Sequence, residues 1–64
     1  MTSTDRQTVI DALLQYADMQ YGNGDPDKAL ETLATLGRID PGNREAAKEA
    51  ARIGREMKEW AEAA

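Results

Sequence analysis

The chain has no cysteine and no histidine among its 64 residues. Without cysteine there is no disulfide framework and no thiolate metal site. Without histidine the commonest general base and the commonest neutral metal ligand are missing. No apolar run reaches the length of a membrane span. The N-terminal segment Met1-Thr2-Ser3-Thr4-Asp5-Arg6 is polar and lacks the apolar core of a signal peptide. Basic charge is also short: the formal net charge is −4. Nucleic-acid binding needs a cationic face that displaces counterions, and anionic membranes attract the same kind of face. The carboxylates that occur in pairs fall on polar helix faces, where nothing would desolvate one and raise its pKa. Gly22-Asn23-Gly24-Asp25 lacks the Lys-Ser/Thr ending of a phosphate loop. Asn23, Asp25, Asp27 and Glu31 lack the spacing and the turn glycine of a calcium loop, and Pro26 intrudes. These absences predict a cytoplasmic, non-enzymatic chain with no cofactor and no metal. Its length allows one small domain, 1–64. Such a chain buries only about 60% of the surface its unfolded form exposes, so a partner or self-association would add useful burial.

What remains is helical periodicity broken at two places. Ile10, Leu13 and Ala17, with Tyr16 on the flank, recur at helical spacing, opposite Asp11, Gln15 and Asp18. Thr4 and Gln7 fit a capping box, and Asp5 suits the first turn of a helix dipole. The spacing predicts a first helix over 5–21. Gly22-Asn23-Gly24 can close it with a left-handed residue. Asp25 suits an N-cap and Pro26 a first helical position. Ala29, Leu30, Leu33, Leu36 and Ile39 then form the buried face of a second helix. Gly37 weakens its last turn, which is expected to fray or to approach another backbone closely. Asp40-Pro41-Gly42 breaks the chain again, and Asn43 can cap a third helix at about 44–62. The expected inward stripe of that helix is Ala46, Ala47, Ala50, Ala51, Ile53, Gly54, Met57, Trp60 and Ala61. Met57 and Trp60 are its expected anchors. The fold class is therefore all-α, a three-helix antiparallel array.

Residues 10–43 resemble one tetratricopeptide repeat, a helical hairpin with a 34-residue period. Leu13, Tyr16-Ala17, Gly24-Asp25, Ala29, Leu33, Ile39-Asp40-Pro41 and Asn43 fit the family pattern. Gln20, Leu36 and Gly37 depart from it: the family usually has an aromatic, Ala and Leu at those places. Residues 44–62 stand where the next repeat would open, so the resemblance implies a capping helix with a polar outer face.

In this family the first helix of each hairpin lines a concave surface that binds a peptide or a helix. Transferred residue by residue, that surface implies Leu14, Asp18 and Tyr21 from the first helix and Lys48, Arg52 and Arg55 from the third. Asp11 would join them. Lys48, Arg52 and Arg55 share one helical face and could pair with a carboxylate on a partner. The reading is a small adaptor or assembly factor that binds a protein partner or a second copy of itself. The competing reading is a helix-turn-helix nucleic-acid-binding regulator. It is opposed by the acidic balance and by a second helix whose only cations are Lys28 and Arg38.

Overall fold

A computed structural model describes residues 3–63, with side chains from residue 5 onward. Three helices follow one another: α1 (Ser3–Gly22), α2 (Pro26–Ile39) and α3 (Arg44–Ala63). The described residues contain no strand. None of their helices is long and apolar enough to cross a membrane. α2 packs extensively against both neighbours, whereas α1 and α3 meet only along an edge. The helices spread into a slab of 46 × 22 × 13 Å rather than a closed bundle.

α1 is a little longer than its periodicity predicts. The capping box expected at Thr4 lies outside the described side chains. Gln7 does not reach back toward the helix start: its amide donates forward to Asp11 Oδ1 at 2.9 Å. At the other end the turn closes as expected. Asp25 N–H donates to Gln20 O at 2.9 Å, and Gly24 N–H donates to Tyr21 O at 3.1 Å. This 6→1 and 5→2 pair is the Schellman arrangement, with Gly24 in the left-handed position at φ +86°. Two of the orphan carbonyls at the end of α1, those of Gln20 and Tyr21, are thereby satisfied.

Pro26 opens α2, where its missing N–H costs nothing. Asp25 holds the N-cap position, and its backbone carbonyl accepts from Ala29 N–H at 3.1 Å. Its side chain makes no capping bond, so the expected cap there is positional only. Asn43 does cap α3 with its side chain: Oδ1 accepts from Ala46 N–H at 2.9 Å. Between these helices Asp40 acts as a small hub. Its carboxylate accepts from Asn43 Nδ2 at 3.3 Å and lies 3.7 Å from Arg6 of α1. Arg6 also donates to the Ile39 carbonyl at 2.7 Å, placing a cation on the negative end of the α2 dipole.

The core is Ile10 and Ala17 from α1, Ala29, Leu33 and Leu36 from α2, and Ala46 and Ile53 from α3. Leu13, Leu14, Tyr21, Leu30, Ile39, Ala50 and Met57 pack around it, partly buried. Leu36 at 0% and Ile53 at 1% exposure are its largest fully buried side chains. Thr32 is buried as well, and its hydroxyl donates to Gln20 Oε1 at 2.6 Å across the α1–α2 seam. Gln20 thus satisfies a buried hydroxyl at a place where the family pattern favours an aromatic.

Three expectations need correction. Tyr16 does not flank the buried face of α1; it is 49% exposed. The three-residue connection 23–25 steers α1 so that Ile10 and Ala17 meet α2, and Tyr16 points past it. In α3, Ala47, Ala51, Gly54, Trp60 and Ala61 are exposed, which leaves a stripe of Ala46, Ile53, Ala50 and Met57. α3 has a helix on one side only, so nothing covers the other side of its apolar arc. Gly37, finally, neither frays nor makes a close approach. The helix runs through it to Ile39, and a Cβ there would meet no atom within 4 Å.

The same substitution therefore has opposite effects at two glycines. Gly37→Ala is expected to stabilise the chain by about 0.5–1 kcal/mol, because alanine loses less backbone entropy in a helix. Gly24→Ala is expected to destabilise it by about 1–2 kcal/mol, because φ +86° crowds a Cβ. Urea midpoints of the two variants, read by circular dichroism, should move in opposite directions from that of the parent chain.

Candidate functional site

Where the edges of α1 and α3 meet, a small cluster of polar and aromatic side chains forms. Its centre is Tyr21, in the last turn of α1. The Trp60 ring stacks on it with centroids 6.4 Å apart and planes 19° apart. The Arg52 guanidinium lies over the same tyrosine, 5.6 Å from the centroid. A cation over a partly exposed aromatic face contributes about 0.5–1 kcal/mol. Trp60 remains 53% exposed, so the stack presents a large apolar surface to solvent.

Arg52 is fixed by a second contact, a 2.7 Å ion pair with Glu49 one turn earlier. Glu49 in turn shares a hydrogen bond with Asp18 of α1. Burial of Glu49 pushes its carboxyl pKa above the ordinary value, and the hydrogen bond and negative charge of Asp18 push the same way. Arg52 pulls it down, and Glu45 adds a small upward push. A neighbouring carboxylate that shares a hydrogen bond favours the protonated form of Glu49, which adds to the effect of burial.

Of the residues implied by the family resemblance, the structure brings Tyr21 and Arg52 into contact and sets Asp18 beside them through Glu49. Leu14 lies one and two turns back along α1, half-buried against the core. Lys48 and Arg55 are exposed and make no ion pair among the described residues. Each stands two residues past a buried one, Ala46 and Ile53, hence roughly 160° round the helix from it. They extend the cationic edge of Arg52 away from α1. Asp11, on the α1 side, is exposed and accepts from Gln7.

Sequence reasoning missed two members of the cluster. Trp60 is a surface aromatic held by a tyrosine, although its helical spacing suggests core. Glu49 links α1 to α3, although an exposed intrahelical pair is all that its neighbour Arg52 signals. The i, i+3 spacing of Glu49 and Arg52 and the lone tryptophan were the available signs; that Asp18 and Tyr21 stand opposite them depends on how far apart two turns place the helices.

Among the described residues no group of three or more acidic side chains is arranged to hold a metal ion. The arrangement can offer an aromatic surface, one oriented guanidinium and adjacent carboxylates, which suits recognition. A sequence model of a protein family, described as Tetratricopeptide repeat, matches residues 10–53, more than half of the chain. No curated protein and no solved structure gives a match.

The Asp18–Glu49 contact has a definite pH signature. A raised folded-state pKa contributes stability that is full below the ordinary value of 4.5 and is lost as pH rises through the raised value. At neutral pH the ionised Glu49 therefore contributes less to stability than its protonated form does in acid. Asp18→Asn should lower the Glu49 pKa toward 4.5, leaving the share due to burial. It should also raise stability at pH 7 relative to pH 4, compared with the parent chain. Carbon NMR titration of the Glu49 carboxyl and urea melts at both pH values check this; an unchanged Glu49 midpoint would contradict it.

Proposed function

Because the chain belongs to the tetratricopeptide-repeat family, whose helical hairpins serve protein–protein interaction, we propose that it binds a peptide or helix of a protein partner across the α1–α3 edge. The observation that carries this reading is the Tyr21–Trp60 stack with Arg52 over it, a preformed aromatic and cationic surface on two helices. Leu14 and Asp18 continue the surface along α1, and Lys48 and Arg55 widen its basic side. The chemistry selects a ligand with an apolar anchor for the stack and a carboxylate for Arg52, because a guanidinium holds carboxylates in a fixed fork. Binding and orientation are the whole mechanism; no bond is made or broken.

We read the unit as one hairpin, 10–43, followed by a capping helix, 44–62, with no cofactor. The net charge of −4 opposes nucleic acid as the partner. A surface of this size, on a single hairpin and one helix, suits an interface at the weak, transient end of the range.

Trp60 is the sole tryptophan and sits in the surface, so its fluorescence reports occupancy directly. Selection of random peptides on the purified chain should enrich sequences that pair an aliphatic or aromatic residue with an acidic group or a free C-terminus. Their binding should shift the Trp60 emission. Arg52→Glu should weaken them at least tenfold, matching the roughly 1.5–3 kcal/mol of a charge-assisted hydrogen bond. Lys28→Glu on α2 should leave binding unchanged. Enriched peptides that bind Arg52→Glu as well as the parent chain would remove this surface from consideration.

A further inference from the structure

The end of α1 holds a pair of residues whose chemistry the peptide surface does not use. Asn23 is followed by Gly24, and both are exposed. Nothing overhangs them: a Cβ added at Gly22 or Gly24 would meet no atom within 4 Å. The side-chain amide of Asn23 makes no hydrogen bond among the described residues. Asparagine is a thermally labile residue, because the backbone nitrogen of the next residue can attack its side-chain carbonyl carbon. A glycine in that next place removes the side chain that would obstruct the attack.

The chain's other asparagine, Asn43, gives the contrast. Both ends of its amide are engaged: Oδ1 accepts from Ala46 N–H at 2.9 Å, and Nδ2 donates to Asp40 at 3.3 Å. The residue after it is Arg44, which opens α3. The cap and the bulky neighbour both protect it.

At Asn23 the turn leaves the side chain free but restrains the nucleophile. Gly24 N–H donates to Tyr21 O at 3.1 Å, flanked by Asn23 N–H to Met19 O at 3.0 Å and Asp25 N–H to Gln20 O at 2.9 Å. Ring closure needs the Gly24 nitrogen to give up its proton and swing toward Asn23 Cγ, so its bond to Tyr21 must open first. Helix ends open locally at a smaller free energy than global unfolding. The fraction of time for which this turn is open therefore sets the rate.

We propose that Asn23 is a site of spontaneous, one-way modification timed by the Schellman turn. The Gly24 nitrogen loses its proton to hydroxide or water and bonds to Asn23 Cγ. The Cγ–Nδ2 bond breaks and ammonia leaves, so that a five-membered succinimide closes. Water then adds to either of the two ring carbonyl carbons. Addition at Cγ breaks its bond to the Gly24 nitrogen and gives aspartate at 23. Addition at the main-chain carbonyl carbon gives isoaspartate, whose backbone runs through Cβ and Cγ. The net change is one amide and one water consumed, one carboxylic acid and one ammonia produced. Both products undermine the turn. A carboxylate at 23 faces the negative end of the α1 dipole and joins Asp25 and Asp27. The extra backbone carbon of isoaspartate also displaces Gly24 and Asp25 from the Tyr21 and Gln20 carbonyls. Tyr21 then loses the closure that holds the last turn of α1 beside Trp60, which gives that surface a built-in lifetime. None of this requires the surface to bind a peptide.

The purified chain is incubated at neutral pH and body temperature, with and without guanidinium chloride. Trypsin then places Asn23 in the peptide 7–28 and Asn43 in 39–44. Mass spectrometry should find the acid accumulating at 23 in the native chain while 43 remains an amide. Isoaspartate should accompany aspartate, since direct hydrolysis by water yields aspartate only. Guanidinium chloride should speed the reaction at 23 by about tenfold or more, because it removes the closed turn. The isolated isoaspartyl form should unfold at a lower urea midpoint than the parent chain. A native chain unmodified at 23 after several weeks, aspartate as the sole product, a rate that denaturant leaves unchanged, equal loss at 43, or an isoaspartyl form as stable as the parent would each overturn the proposal.

Discussion

The fold depends on α2 being covered on both sides. Leu33 and Leu36 are buried because α1 brings Ile10 and Ala17 to one flank and α3 brings Ala46 and Ile53 to the other. Truncating Leu36 would remove packing from both seams at once, and no other layer exists to collapse into the space. With so few fully buried residues, the connections carry unusual weight. The Schellman closure at Gly24 sets the angle of α1 on α2. Asp40, Asn43 and Arg6 together set the angle of α3 and tie the start of α1 to the end of α2. These polar contacts gain little individually. They matter because they decide which apolar faces meet.

The same sandwich explains where the surfaces lie. α1 and α3 each use one flank to cover α2 and meet each other along a second. That meeting line gathers Asp18, Tyr21, Glu49, Arg52 and Trp60, residues too polar or too large for the core. The remaining flanks are left open, and there Tyr16, Met19 and the small residues of α3 face solvent. Exposed apolar surface on this chain is thus an outcome of having three helices in a row, with two outer layers and one inner.

Much of this could be read from residue order. Gly24, Pro26 and Asn43 have stereochemical roles that few other residues fill, so the two turns and three helices follow from them. The face of α2 was equally legible, since a helix enclosed on both sides shows its burial in its leucines. The outer helices were harder. Apolar residues lie on more than one side of α1, and alanine in α3 satisfies a buried or an exposed site almost equally well. Periodicity therefore set Tyr16 on the flank of the buried face of α1 and Ala51 within that of α3, when only the presence of a further helix could have covered them. The site was half visible. Tyr21, Asp18 and Arg52 came from family resemblance, whereas Glu49 and Trp60 join them only once the interhelical distance is fixed.

Packing limited to adjacent helices also has a kinetic side. Apart from the edge cluster, contacts link each helix to the next one along the chain, and the joining segments are short. Little loop entropy has to be given up before burial begins, which places such a topology among the microsecond-to-millisecond folders. α1–α2 and α2–α3 are alternative starting pairs, and each leaves a half-covered α2 as the template for the last helix to arrive. The row of three can then assemble from either end, and it can open from either end without dissolving the whole.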